Sequence, residues 1–312
     1  MAVDKIQYLD RKIVIHGGEL LSRLVEGRDA IEQAILRNAK GSGIATNKKM
    51  DALAKDIGER YGALQTGLAS WAKELAEQDY KDWSAVALKD VGAKWSDSKV
   101  ANFSRPKAAR FYRYDAKQFI AAKTTNMAAN QVREIRDLFE EINREGDLKG
   151  WTMVDRDRAM KGAMLDAAEN GGKQWAFIDS AGKKWTRGNY FNMLNRTVVA
   201  SVHRQSYMDA LAEEGFDLVR IVNAGDPCEF CASWDGTVLS ISGAGGLPTL
   251  AAASTAGVFH PNCVCHLEYL DATEAQEYID KTKQRQETGD LKTRESKPEK
   301  NKPTGVPERG AA

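Results

Sequence analysis

All four cysteines of this chain fall between positions 228 and 265. One pair lies in Asp226-Pro227-Cys228-Glu229-Phe230-Cys231. The other lies in His260-Pro261-Asn262-Cys263-Val264-Cys265-His266, which also holds two of the four histidines. A Cys-x-x-Cys turn aims both sulfurs at one ion, and His260 with Cys263 repeats that spacing. Two such half-sites brought together make a tetrahedral thiolate and imidazole site of the kind zinc takes in structural roles. The chain between them, Gly236 to Phe259, must leave one half-site and return to the other. Cys228, Cys231 and Cys263 are the first candidates for ligands. His260 or Cys265 is the fourth, and His266 ranks behind them because it falls on or beside an outgoing strand. The plainer alternative is a set of free thiols in a small core with two unrelated histidines. Four protein ligands leave no open position for water, so the pattern points to a structural metal rather than to catalysis.

Composition bears on the state of these thiols. No stretch of the 312 residues approaches the ~20 apolar positions of a membrane helix. The N-terminus, MAVDKIQYLDRK, has no apolar core of signal-peptide type. The expected setting is a reducing, bacterial-type cytoplasm or a particle assembled there, where clustered cysteines are read as metal ligands rather than disulfides. Hydrophobic residues at 42% and charged residues at 29% suit a soluble globular chain of one large domain or two ordinary ones. The formal net charge of +1 calls for no nucleic acid or anionic membrane as an obligatory partner, and leaves room for a local basic patch.

Upstream of the cysteines the pattern is helical. Leu20, Leu24, Ile31 and Ile35 make one apolar stripe; Met50, Leu53, Ile57, Leu64, Leu68, Trp71 and Leu75 make a second. Lys40-Gly41-Ser42-Gly43 reads as the turn between them, and Thr46 with Asn47 as the cap of the second helix, so a helical hairpin is expected. Within the mixed region from Trp95 to Thr125, Arg110-Phe111-Tyr112-Arg113-Tyr114 alternates basic and aromatic residues. We read it as a half-buried strand; single-stranded nucleic-acid binding uses the same interleaving. Helices are expected over Ala128–Arg144, closing at Gly146 and Gly150, and over Asp155–Asn170. Trp175–Thr186 reads as a hairpin about Ser180-Ala181-Gly182. A long helix, Arg187–Glu214, then turns Tyr190, Leu194, Thr197, Val198, Met208 and Leu211 inward and stops at Gly215. Strands are expected at Asp217–Val222 and Thr237–Ile241, a plain loop at Gly243–Gly246, and a short helix with Pro248 at its first position ending near Gly257. A last helix begins near Thr273. From Thr288 the chain is rich in Lys, Glu, Pro and Thr and is expected to be disordered. The expected class is α+β: a helical region over 1–150, a smaller α+β domain over 151–287 with a zinc-clipped loop region, and a disordered tail over 288–312.

The cysteine region also carries a resemblance. Asp226-Pro227-Cys228-x-x-Cys231-x-x-Trp234-Asp235-Gly236, then Pro248-Thr249-Leu250, then Gly257-Val258-Phe259-His260-Pro261-Asn262-Cys263, resembles the phage minor capsid protein 2 family, itself similar to the Mu F-like head-morphogenesis proteins. Asp179, Gly182, Trp185, Tyr190, Arg196-Thr197 and Gly215-Phe216-Asp217-Leu218-Val219 fit the same layout. The resemblance covers about Trp175 to Leu270, and the N-terminal helices fit in general character. It implies a low-copy structural protein of the phage head, associated with the portal protein and the capsid interior, and no catalytic role. Position 265 is Cys or His in such proteins, which raises Cys265 relative to His260. Their usual basic residue after Cys263 is replaced here by Val264, which puts in question any DNA or portal contact made at that position.

Three other readings stand beside it. A zinc deaminase would use Pro227-Cys228-x-x-Cys231 with His266-Leu267-Glu268, in inverted order. An ADP-ribosylating or nuclease effector would draw on Arg196, His203 and Arg204 of the long helix, which a solvated basic face explains as well. A nucleic-acid-binding protein of the virion interior would use Arg110 to Arg113 and the mildly basic tail, with weak, salt-sensitive affinity.

Overall fold

The computed structural model describes residues 5–39, 43, 45–94, 96–169, 177–178, 184–185, 187–223, 227–263 and 265–293. Helix α1 (Lys5–Ala39) and helix α2 (Asn47–Asp90) form the expected antiparallel hairpin. The Thr46 hydroxyl accepts from the Lys49 backbone N–H at 3.4 Å and caps α2. Both apolar stripes are buried, and α2 extends its own to Tyr80 and Trp83. A helix of this length with a continuous apolar stripe can serve several partners, and α2 is the central helix of the bundle.

The strand expected at Arg110–Tyr114 is instead helical. Helix α3 (Asp97–Phe111) passes through a single π-turn, Tyr112–Ala116, into helix α4 (Lys117–Lys149). Phe111, Ala116 and Ile120 are buried, while Arg110, Arg113 and Tyr114 face solvent. Five residues of basic–aromatic alternation fit either period when only one of the aromatics is fully buried, and the extra residue of a π-turn shifts the helical phase further. Helix α4 also runs past Gly146 and stops at Gly150, whose φ of 66° is left-handed. Helix α5 (Met153–Glu169) follows, then strands β1 (Phe177–Ile178) and β2 (Lys184–Trp185), paired antiparallel as the expected hairpin. The turn at Ser180-Ala181-Gly182 lies outside the described residues.

Helix α6 (Arg187–Glu213) returns through the bundle against α1 and α2. Tyr190, Leu194, Val198, Met208 and Leu211 are buried as expected; Thr197 is half-buried. The His203 ring stacks on Trp83 of α2 with centroids 3.5 Å apart. Two glycines let α1 approach its neighbours closely. A Cβ on Gly17 would stand 2.8 Å from the Asn195 side chain, and one on Gly27 would stand 2.6 Å from Leu64.

After Gly215 (φ 83°) comes a small antiparallel sheet. Strand β3 (Leu218–Val222) lies between β4 (Val238–Ser240) and β5 (His266–Tyr269), with Val219 opposite both Leu239 and Tyr269. Three helices surround it: α7 (Glu229–Ser233), α8 (Leu250–Thr255) and α9 (Ala272–Thr288). Pro248 is not the first residue of α8. Thr249 is its cap, accepting from Ala252 at 3.2 Å, because a hydroxyl can satisfy a free amide of the first turn and proline cannot. Gly243–Gly246 contains a short 3₁₀ turn rather than a plain loop. The first residues beyond Thr288 are held: Leu291 packs on the core and the Trp234 indole donates to the Lys292 carbonyl at 3.0 Å. The rest of the tail, 294–312, lies outside the described residues. One apolar cluster runs from Leu9 through α2 and α6 to Leu267 and takes in Cys231, Cys263 and Cys265. Among the described residues no helix is long and apolar enough to cross a membrane.

Candidate metal centre

Two turns present the donor atoms. Cys228 precedes α7 and its carbonyl accepts from Ala232 at 2.8 Å, so Cys231 comes round on the first turn of that helix. In the second half-site Cys263 N–H donates to the His260 carbonyl at 2.9 Å, and Asn262 has a φ of 71°. Proline at the second position and a left-handed asparagine at the third are what a type II turn requires, so His-Pro-Asn-Cys is a turn motif as well as a donor motif. The Asn262 N–H donates to Thr197 Oγ1 at 3.2 Å and docks the turn on α6. Phe259, just before it, also has positive φ, at 58°. A bulky residue in that region stores about 1–2 kcal/mol of strain and is held there by its surroundings.

These turns bring the donors together in two overlapping triads. The donor atoms of Cys228, Cys231 and His260 lie within 4.8 Å of one another, as do those of Cys231, Cys263 and Cys265. Cys231 belongs to both. Cys228 Sγ and His260 Nε2 are 3.1 Å apart, and the Cys231 and Cys263 sulfurs are 3.6 Å apart. Thiolates sharing a tetrahedral zinc ion, at Zn–S ≈ 2.3 Å, stand about 3.8 Å apart. His260 Nδ1 lies 2.7 Å from the Pro261 carbonyl, which can only accept. The ring proton therefore sits on Nδ1, and the Nε2 lone pair faces the sulfurs. Cys228 and His260 are half-buried and form the rim; Cys231, Cys263 and Cys265 are buried. The cluster can chelate a metal ion, and its sulfur-rich donor set suits zinc.

The electrostatics favour ionised sulfur. Hydrogen bonding with Cys231 and Cys265, with the Arg204 guanidinium beside them, lowers the pKa of Cys263, while that of Cys231, which keeps its proton, is raised. At Cys228 burial opposes ionisation, but its hydrogen bonding with Cys231 and the nearby His260 outweighs it and the pKa falls. The sequence pattern links Arg204 to a basic face of the long helix and not to the cysteines. It lies on α6, is buried, donates to the Cys265 carbonyl at 3.0 Å, and has its guanidinium 4.5 Å from the Phe259 ring centroid. No carboxylate pairs with it among the described residues; the charges it feels are those of Cys263, Cys265 and Cys231. A buried guanidinium without an anion is costly, so the thiolates are its counter-charge. Asn223, at the end of β3, is another residue that spacing missed: its Oδ1 accepts from Cys265 Sγ at 3.3 Å.

His266 stands apart. It opens β5, is buried, and its Nε2 is 3.5 Å from Glu268 Oε1; it belongs to neither triad. The hydrogen bond from His266 and the pair with Arg220 at 2.9 Å hold Glu268 down to about 2. Because His266 lies outside both triads, the His-x-Glu of the deaminase reading does not meet the cluster, and Glu268 instead clasps β5 to β3 through Arg220. The solvated basic face suggested for α6 is also absent: His203 and Arg204 are buried, and burial pushes His203 well below the ordinary histidine range.

The chain is thus a helical bundle built on α2 that carries a small sheet lobe with a Cys/His cluster in its loops. The family model for phage minor capsid protein 2 matches residues 44–297, and the chain belongs to that family. The match reaches well beyond the Trp175–Leu270 span of the resemblance and takes in α2 onward, so the helical part is as much a family feature as the cluster. Membership in a family of structural capsid components agrees with a non-catalytic role. No curated protein and no solved structure matches the chain.

Proposed function

We propose that this protein is a low-copy structural component of the phage head, assembled in the host cytoplasm, retained in the virion, and associated with the portal protein and the capsid interior. The observation that carries the reading is the extent of the family match, from α2 through the Cys/His cluster. In this reading residues 1–150 form the docking part. Helix α1 supports it, because Val14, Ile15 and Leu21 are exposed on a long helix, the form that groove-binding segments take. Residues 151–287 form the second part, in which zinc, held by four of Cys228, Cys231, His260, Cys263 and Cys265, fixes the loops around the sheet. Packaged nucleic acid is a second and weaker partner.

Quantitative mass spectrometry of intact virions tests the placement. Copies per particle close to those of the portal protein are expected; absence from purified virions would overturn the reading. Elemental analysis tests the metal. About one zinc per chain is expected, and Cys228→Ser should lower both zinc content and melting temperature. A Cys228→Ser protein that matches its parent in both would remove the metal from the proposal.

A further inference from the structure

With the strand at Arg110–Tyr114 replaced by helix, the basic residues there acquire a common face. Between Lys99 and Lys117 the chain has six cationic side chains and one carboxylate, Asp115, in a protein whose net charge is +1. Two of the cations are spoken for: Lys99 pairs with Glu214 and Lys107 with Glu213, which bolts α3 to α6. Arg105, Arg110, Arg113 and Lys117 are exposed, and none makes a salt bridge within 4.0 Å among the described residues, although Arg110 is near enough to Asp115 to feel its charge. The buried side of the same segment is Val100, Ser104, Ala108, Phe111, Ala116 and Ile120, which turns the four cations outward together. Tyr114, 57% exposed, stands among them. The π-turn helps to make this arrangement: its wider turn brings Tyr114 round to the azimuth of Arg110. A shallow depression lined by Lys99, Asn102, Phe103 and Glu213 continues the face toward the start of α3.

We propose that the outer face of α3, the π-turn and the first turn of α4 is a nucleic-acid contact surface, with Arg105, Arg110, Arg113 and Lys117 on phosphates and Tyr114 stacked on a base. The proposal rests on the nucleic-acid part of the function above and names the surface for it; the portal association does not depend on it. Its physical basis is charge complementarity along a rigid rail. From Lys99 to Lys117 the helix is about 27 Å long at 1.5 Å per residue, enough to follow several successive phosphates. Unpaired cations repeated along such a rail suit a polymer with one negative charge per unit, and an exposed ring between them adds a stacking platform that tolerates any base. An acidic protein partner would use the cations but leave Tyr114 without a role.

The test is fluorescence anisotropy of the full chain with a labelled single-stranded oligonucleotide over a range of salt. Four phosphate contacts predict a slope of log K against log salt of about −3. A triple variant, Arg110→Gln/Arg113→Gln/Lys117→Gln, should lose about tenfold or more at low salt and flatten the slope by about 2. Tyr114→Ala should weaken binding with the slope unchanged. All four side chains are exposed, so melting curves of the variants should overlay the parent and exclude a folding defect. Absence of binding at low salt, binding that the triple variant leaves intact, or displacement by polyglutamate as effective as by unlabelled oligonucleotide would each overturn the proposal. Virion copy number would be unaffected by that failure, which keeps the two readings separable.

Discussion

Cys231 is the one side chain common to both donor triads, and this ranks the ligands. Its sulfur faces Cys228 and His260 on the rim and Cys263 and Cys265 in the interior, so no four-ligand set drawn from neighbouring donors omits it. Cys231→Ser is expected to abolish stoichiometric zinc, whereas Cys265→Ser and His260→Ala should differ. Whichever is the spare donor will lose little, and cobalt absorption spectra of the two variants would show which. Stoichiometric zinc retained by Cys231→Ser would contradict the shared role. Arg204 makes a second prediction at this scale. If thiolates are its counter-charge, Arg204→Met leaves the loaded cluster with excess negative charge and relieves the metal-free protein of a buried cation. Zinc affinity, measured by competition with a chromophoric chelator, should fall about tenfold or more, the usual consequence of losing an outer partner of a metal site. The metal-free variant should melt no lower than the metal-free parent. Equal destabilisation of both forms with unchanged affinity would reduce Arg204 to a packing role.

Among the elements, the α1–α2 hairpin is more than two apolar stripes. Lys12 lies 2.7 Å from Asp79 and 2.5 Å from Asp82, and His16 Nε2 lies 3.0 Å from the same Asp79 oxygen. Glu19, on the next turn of α1, is 3.6 Å from His16 Nδ1. Burial opposes a charge on His16, but the hydrogen bond and charge of Asp79 outweigh it and raise its pKa above the ordinary 6.5. A folded-state value above the unfolded one means that this stabilisation is complete below the unfolded pKa and is lost as pH rises through the folded value. Melting temperature should therefore fall as pH is raised above the ordinary histidine range and through the raised pKa of His16, and His16→Gln should remove that part of the slope. Parallel pH profiles for parent and variant would show that the network does not titrate. Gly27→Ala tests the close approach of the same two helices. Its Cβ would meet Leu64 at 2.6 Å, and overpacking at such a contact costs about 1–3 kcal/mol, to be read from denaturant melts. An unchanged midpoint would mean that Leu64 swings aside at no cost.

For the molecule as a whole, the question is how far the clip and the bundle depend on each other. The buried sulfurs belong to the same apolar cluster as Trp71 and Trp83, and α6 packs on α1 and α2 while holding Asn262 and Cys265 through Thr197 and Arg204. The bundle nevertheless has its own large buried side chains, Trp71, Tyr80 and Trp83 among them. Chelation is therefore expected to raise hydrogen exchange at residues 227–263 and in β3 and β5 first, with α1 and α2 still protected. A uniform rise across α1 and α2 would mean that the two parts unfold as one unit and that the boundary proposed near residue 150 has no thermodynamic content.

What the sequence by itself determined was everything written in local periodicity or spacing. The stripes of α1 and α2, the long α6 ending at Gly215, the strand before the first cysteine pair and the two half-sites, Cys228 with Cys231 and Cys263 with His260 or Cys265, are all readable there. A helix face, a turn and a chelating pair are set by residues within a few positions of one another. The tertiary structure alone decided the rest. Arg110–Tyr114 became helical because α2 supplied a surface for Phe111, Ala116 and Ile120, and no five-residue pattern contains that surface. Arg204 became the cation of the sulfur cluster because α6 passes beneath the His260–Cys265 loop, 61 residues away along the chain. Asp79 is buried because Lys12 and His16 come to it from another helix. A charge can be buried only where its partner is also present, and that partner is chosen by the fold rather than by its neighbours in the chain.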